Sequence, residues 1–368
     1  MPDNDTAPAG AVEHSAAHEL RRGRGGGMTG GGKTGGEIHF TYLGGPDIAK
    51  LDLKDDEILT AVEGGLLAQG RGQTTIEPRV HLVADPAFRG HFNVLRGYIA
   101  PLGLAGVKIV SDYLDNYKHG LPSEMALLNL FDPHTGAPRA LVDATWITDM
   151  RTGAVTALGA KHLARKDSKV LGHIGARGTA YWNVRLMDSM FHFDEIRVHS
   201  RRKESRDAFG RRLARDLGKK IVVTEDWESC VRGADIVVEA ARLEKPAPLL
   251  KTEWIKKSAL VMPYGTMSAV ELSLTDIMDK MVVDDWSQCK PGLPFGALRA
   301  IVDSGRLNEK NLHAEFCQIV AGHKPGRERI DETILFWHRG LSLSDIALGA
   351  AMLEKAAKLG LGQRLRYA

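Results

Sequence analysis

The sequence predicts an α/β protein, a doubly wound parallel sheet domain joined to a discontinuous α+β domain. Three observations point there. A strand, a glycine turn, a helix and a second strand follow one another between Val170 and Arg202. Short apolar runs and helical segments keep alternating from there to Asp284. Before Val170 the chain reads instead as closely spaced strands, and a late strand and helix follow the alternating region.

The first observation is the sharpest. Val170, Leu171 and Ile174 form a short apolar run, and Gly172, Gly175 and Gly178 punctuate the run and the turn after it. A helical segment runs from Thr179 to about Phe191, and residues 195–199 read as the second strand. Such a unit opens a Rossmann dinucleotide-binding domain. Its glycines let the backbone approach a pyrophosphate, and free N–H groups at the helix start attract the anion. Gly175, Ala176, Arg177, Gly178 and Thr179 are therefore the candidate phosphate contacts. The second strand ends in Ser200-Arg201-Arg202, with no acid for a ribose 2′-hydroxyl. One hydroxyl and two guanidiniums suit a 2′-phosphate, so the expected cofactor is NADP(H) in preference to NAD(H).

The other elements follow in chain order. Residues 1–36 are glycine-rich and are expected to form a disordered tail. Within them, residues 27–34 spell a Walker A motif. Neither a buried strand before it nor a helix after it is readable, so no phosphate loop is expected. Residues 38–43 read as a strand, and a helix capped by Asp55 or Asp56 runs to about Gly70. Further strands are expected at 79–83, 95–99, 105–110, 126–131 and 138–142, and a helix at 154–163. Beyond the dinucleotide unit the strands are 221–224, 235–240, 260–263 and 281–284, with a short helix at 227–231. The late strand 334–337 and helix 344–359 are expected to rejoin the first domain.

Composition narrows the function class. A chain of 368 residues, 43% apolar and 26% charged, is long enough for two ordinary globular domains. A formal net charge of +3 demands neither nucleic acid nor an anionic membrane, and neither is expected as a partner. No apolar run approaches the roughly 20 residues that span a bilayer, and the N-terminus lacks the apolar core of a secretory signal. Cys230, Cys289 and Cys317 form neither a disulfide framework nor a zinc pattern, which points to the cytoplasm. His39, His81, His91 and His119 have no metal-ligand spacing, and Asp284-Asp285 reads as a strand end and its surface turn. No metal is expected.

Three cations precede the dinucleotide unit. Arg79 lies in a strand-like run, Lys108 among Val107, Ile109 and Val110, and Arg151 at the expected start of a helix. A lysine in an apolar strand can have a lowered pKa, and two arginines converging on a cleft can clamp a carboxylate. Each alone reads as an ordinary structural cation. Convergence in space is what gives them a role.

These residues, taken as a series, resemble the ornithine cyclodeaminase/mu-crystallin family. The resemblance runs through Lys108 with Asn116, the stretch from Asp143 to Val155, and the glycine turn at Gly175. It continues through residues 232–238, 283–285, 321–327 and 335–337. Within the family the chain is most similar to a branch of ornithine cyclodeaminase-like proteins, also known as the second subunit of tyramine oxidase. The resemblance implies a substrate and dimerisation domain formed by 37–147 with 328–368, and a Rossmann domain at 148–327. It implies NAD(P)-linked chemistry at an amine or imine carbon, on a small carboxylated amine or imine, in a homodimer, with an amine oxidase as a candidate partner. Arg79 and Arg151 match the residues that hold the substrate carboxylate, Lys108 the one that polarises the substrate and moves a proton, and Thr152 a cofactor contact.

Departures from the family pattern refine this. Arg177 stands where the phosphate turn usually has its second glycine. Residues 263–271 lack the aspartate that cyclodeaminases carry after the fifth strand, and His338-Arg339-Gly340 replaces smaller residues. The expected function is thus an oxidoreductase of the C–N bond, an imine reductase or amino-acid dehydrogenase. An ammonia-releasing cyclodeaminase and a non-catalytic cofactor-binding subunit are the alternatives.

Overall fold

The computed structural model describes residues 36–293 and 295–368. The segment expected as a tail, with its Walker A spelling, lies outside the described residues apart from Gly36. The first strands are β1 (His39–Leu43), β2 (Thr74–Ile76), β3 (Val80–Leu82), β4 (Gly90–Ile99), β5 (Leu104–Tyr113), β6 (Glu124–Phe131) and β7 (Pro138–Asp143). They join β16 (Gln363–Arg366), from the far end of the chain, in one sheet of order β16-β1-β7-β6-β5-β4-β2, with β3 pairing further along the same edge of β4 as β2. A second sheet is parallel throughout. It is built from β8 (Val170–Ile174), β9 (Glu195–His199), β10 (Ile221–Val223), β11 (Ile236–Glu239), β12 (Leu260–Pro263), β13 (Lys280–Val283), β14 (Ala314–Glu315) and β15 (Ile334–Trp337). Its order, β10-β9-β8-β11-β12-β15-β13-β14, is that of a doubly wound dinucleotide-binding sheet.

One expectation needs correcting here. β15 does not rejoin the first sheet; it inserts between β12 and β13 of the second. Its residues Ile334, Leu335, Phe336 and Trp337 are all buried. An uninterrupted apolar strand fits a parallel sheet covered on both faces, not a sheet with alternating faces. A domain boundary at residue 328 therefore separates this strand from its own sheet.

The longer helices are α1 (Asp55–Gly70), α2 (Thr145–Leu163), α3 (Ala180–Phe191), α4 (Lys203–Leu217) and α5 (Ser342–Leu359). The N-cap of α1 is Lys54, whose backbone N–H donates to Glu57 Oε2 at 2.7 Å. Asp55 and Asp56 fall in the first turn instead, where the helix dipole favours acids. Helix α2 begins nine residues before the expected start at 154, because Asp143 Oδ1 accepts the free N–H of Thr145 at 3.0 Å. Arg151 accordingly sits in the second turn.

Strand register decides what faces what. Lys108 pairs with Leu95 and Leu128, Val110 with Asn93, and Asp112 with His91 and Glu124. Side chains alternate along a strand, so these residues share one face of the first sheet. Helix α5 packs against β4, β5 and β6 on that face, with Asp345 reaching Lys108. On the opposite face Val80, Val94, Ile109 and Leu127 form a continuous cross-strand row. Val80, Ile109 and Leu127 are all exposed.

Candidate active site

Two of the three cations meet on a carboxylate that the sequence did not single out, and the third lies close enough to feel its charge. Lys108 Nζ lies 2.7 Å from Asp345 Oδ1 and 3.2 Å from Thr148 Oγ1. Arg151 Nε donates to the same Asp345 oxygen at 2.8 Å. Burial pushes Lys108 down to about 8, with the Arg151 charge adding to it and Asp345 opposing. Among the described residues Asp345 Oδ2 is buried without a hydrogen-bond partner. An unpaired buried acceptor of this kind is expensive unless a ligand supplies the donor.

Arg79 approaches from just before β3. Its Nη2 donates to the carbonyls of Arg339 and Gly340 at 2.5 and 2.7 Å, and its backbone N–H to Gln288 Oε1 at 3.2 Å. Its Nε is buried and has no partner among the described residues. Burial first, then the Arg339 charge, lowers Arg79 to about 10, so it stays cationic at neutral pH. Gly340 has φ +81, and the Arg151 guanidinium occupies the place where a Cβ would stand. The 339–340 turn is fixed by Asp284 Oδ2, which accepts both of its N–H groups at 2.7 and 2.8 Å. Asp284 is therefore not part of a surface turn. It is buried, and burial raises it to about 6.

The glycine turn lies at the C-terminal edge of the second sheet. Gly175 has φ +112, and an added Cβ would stand 2.6 Å from the Ala240 carbonyl oxygen. Only glycine fits that position. Its N–H donates to the His199 carbonyl at 2.9 Å, Gly178 has φ +52, and Ala176 is half-buried while Arg177 is exposed. Thr179 is the N-cap of α3, and its hydroxyl lies 2.6 Å from the Tyr264 hydroxyl. At the end of β9, Ser200 is half-buried, and Arg201 and Arg202 are exposed with no ion pair among the described residues. Positive-φ glycines, a helix N-terminus and two open guanidiniums fit a dinucleotide with its phosphates on the turn. Thr152 is placed less simply. It is buried in α2, and its hydroxyl donates to the Thr148 carbonyl at 2.7 Å.

Of the groups near the turn, His338 stands out in the sequence as a departure, whereas Asp149, Tyr264 and Glu239 do not. A Cβ built on Gly178 would stand 3.3 Å from Asp149 Oδ1, so this carboxylate flanks the turn; burial, then the Glu124 charge, raises it to about 7. Tyr264 sits 4.4 Å, ring to ring, from His338, and burial pushes its hydroxyl up to about 12. Burial, then the Arg151 charge, lowers His338 to about 3, so the ring is neutral, with its Nε2 3.0 Å from Thr156 Oγ1. Glu239 is buried and raised to about 7, although it accepts N–H groups of Ala241 and Gly265. Adjacent elements from distant parts of the chain make these contacts, so spacing gave no signal.

Between the two sheets a cleft of about 610 Å³ connects Arg79, His81 and His91 with Tyr264, His338 and Arg339. An Arg242–Asp112 ion pair joins its walls. No group of three His, Cys, Asp or Glu side chains among the described residues is placed to hold a metal ion. No helix among them is long and apolar enough to cross a membrane.

A doubly wound sheet with a phosphate turn, together with a buried cationic cluster beside the cleft residue Arg79, defines a dinucleotide-dependent enzyme for small anionic molecules. Comparison places it more closely. Residues 47–359 match the ornithine cyclodeaminase/mu-crystallin family, and the chain belongs to that family. It is 30% identical over 316 residues to an alanine dehydrogenase of Archaeoglobus fulgidus, covering 85% of this chain and 94% of that one. Its fold matches the Thermococcus litoralis Delta(1)-pyrroline-2-carboxylate reductase in complex with NADH and L-proline at a TM-score of 0.82. That match has 29% identity and covers 89% of this chain and all of the other. An archaeal alanine dehydrogenase dimer with bound NAD matches at a TM-score of 0.81 and 27% identity, over 90% of this chain and 100% of that one. The family relatives are thus NAD(P)-dependent oxidoreductases of C–N and C=N substrates, and this chain is an enzyme of that class.

Proposed function

We propose that the chain is an NADP(H)-preferring, homodimeric reductase or dehydrogenase acting between a small 2-amino acid and its imine. The observation that carries this reading is the buried cluster of Lys108, Arg151 and Asp345 beside Arg79. Among the described residues Arg151 spends only Nε on Asp345, which leaves its Nη groups for a substrate carboxylate. Arg79 offers its unpartnered Nε to the same end. With the carboxylate fixed, Lys108 is the proton donor when an imine is reduced and the proton acceptor when an amine is oxidised. A pKa near 8 lets the lysine serve in either direction. The bound dinucleotide would supply or accept the hydride. Low exposure of the cluster keeps water from hydrolysing the imine, since Lys108 is 1% and Asp345 0% exposed.

The preference for NADP(H) rests on Ser200, Arg201 and Arg202, and on the lack of an acid at that strand end. Homodimerisation rests on the exposed row of Val80, Ile109 and Leu127 across the open face of the first sheet. The cytoplasm suits three cysteines that are all buried and unpaired.

The test is Lys108→Met. It should bind NADPH like the parent protein yet reduce no cyclic or ammonia-derived imine, and a fully active variant would remove the lysine from the mechanism. Ammonia release without net NADPH consumption would identify a cyclodeaminase instead. Cofactor binding with no turnover in the parent, together with co-purification of an amine oxidase, would identify a non-catalytic subunit.

A further inference from the structure

The cleft wall next to Arg79 has a chemistry that the carboxylate and the cofactor do not use. Arg79 and His81 are alternate residues of an extended segment and point to one side, roughly 7 Å apart. Asn93 faces His81 across the β3–β4 pair, and His91 is its neighbour on the same face of β4. Phe295 reaches them from the second sheet's side. Its ring lies 5.8 Å from that of His91, stacked at 17°, and 5.9 Å from that of His81. His81 and His91 are themselves 5.7 Å apart, so the three rings form one wall. Phe295 is 42% exposed and has φ +59, a left-handed backbone that a residue with a large side chain rarely adopts.

Two polar atoms in this wall are buried and unpartnered among the described residues, His81 Nδ1 and Asn93 Oδ1. Asn93 Nδ2 lies 3.2 Å from His91 Nε2, and that contact makes the amide nitrogen the donor and leaves Oδ1 as an open acceptor. Of the other cations that line the cleft, Arg242 pairs with Asp112 and Arg89 with Asp115, and Lys245 is exposed. Burial lowers His81 to about 4, so its ring is neutral at physiological pH. An aromatic wall with a buried open acceptor is a good site for a ring that carries a hydrogen-bond donor.

We infer that this wall is the side-chain subsite, and that the preferred substrate is a 2-amino or 2-imino acid whose side chain ends in an aromatic ring with a donor, such as a phenol. The inference rests on Arg79 holding the carboxylate. Arg79, His81, His91 and Phe295 line one cleft, so the side chain of a substrate held by its carboxylate at Arg79 can run along the ring wall.

The experiment compares kcat/KM of the full chain for NADPH-dependent reductive amination of 4-hydroxyphenylpyruvate, phenylpyruvate, pyruvate and oxaloacetate with ammonia. The phenolic acid should exceed pyruvate by about 100-fold and phenylpyruvate by several-fold. Phe295→Ala should narrow the phenolic-to-pyruvate ratio at least ten-fold, and Asn93→Leu should erase the preference for the hydroxyl. A parent enzyme that favours pyruvate or oxaloacetate, or a Phe295→Ala variant that slows every substrate equally, overturns the inference. If no acid is reduced, the oxidoreductase reading fails on its own account, and calorimetric titration with L-tyrosine and L-alanine in the presence of NADPH decides the subsite. Tyrosine bound at least ten-fold tighter, with the difference lost in Phe295→Ala, sustains it. Equal binding, or none, overturns it.

Discussion

Lys108 and Asp345 form an ion pair with both side chains fully out of solvent, Nζ to Oδ1 at 2.7 Å. The pair ties β5 to α5, residues far apart in the chain. Arg151 shares the same oxygen from α2, so one carboxylate serves two cations. These three groups carry a net single positive charge in a low-dielectric site. A bound substrate carboxylate neutralises it, whereas a neutral ligand does not.

Asp345→Asn tests how far this network is one unit. Removing the anion leaves two buried cations without their partner, a loss of about 3–5 kcal/mol. Thermal or urea unfolding should show it directly. The double variant Lys108→Met, Asp345→Asn should recover part of that loss, because only one uncompensated cation remains. Strictly additive losses would mean that the two residues do not interact energetically.

Arg201→Ala addresses the cofactor. An exposed guanidinium that meets a 2′-phosphate contributes a charge-assisted bond, so the NADPH dissociation constant should rise about ten-fold or more while that of NADH changes little. Fluorescence transfer from the tryptophans reports both titrations. Equal weakening for the two cofactors would show that Arg201 does not read the 2′ position.

Leu127→Lys addresses assembly. Leu127 and Ile109 pair across strands on the open face of the first sheet. Burying one such side chain stabilises an interface by about 1.5–3 kcal/mol, and a lysine there also brings a charge to desolvate. Light scattering should find the parent dimeric and the variant largely monomeric at micromolar concentration. A dimer of unchanged stability would place the interface elsewhere.

The dinucleotide unit was readable because its signals are local. Gly175 lies between an apolar strand and a helix, and its φ of +112 is what the sequence demanded of a glycine there. Arg79, Lys108 and Arg151 are legible as separate cations, but the carboxylate that Lys108 and Arg151 share is not. Asp345 reads as an ordinary acid in the first turn of a helix, and only the packing of α5 on β5 reveals its role. Helix α4 escaped notice because just two large apolar residues, Phe209 and Leu213, are buried on its charged surface. β15 was assigned to the wrong sheet because order along the chain outweighed its uninterrupted apolar run. The aromatic wall was invisible for a further reason. His81, His91 and Phe295 come from three segments, and nothing in their spacing brings the rings together.

The pH dependence of kcat follows from the state of Lys108. Burial first, and Arg151 second, lower its pKa to about 8, while Asp345 resists the shift. Reduction of an imine needs the ammonium form, so kcat in that direction should be flat at low pH and fall ten-fold per unit above about 8. Oxidation of the amine needs the neutral form, so kcat should rise ten-fold per unit up to about 8 and then level off. The two limbs should thus mirror each other about one pH. Asp345→Asn removes the group that favours the ammonium, and both limbs should move to lower pH together, measured at a temperature where the variant is folded. Lys108→Met should have no limb of this origin. A profile that stays in place when Asp345 is neutralised would assign the titration to a group other than Lys108.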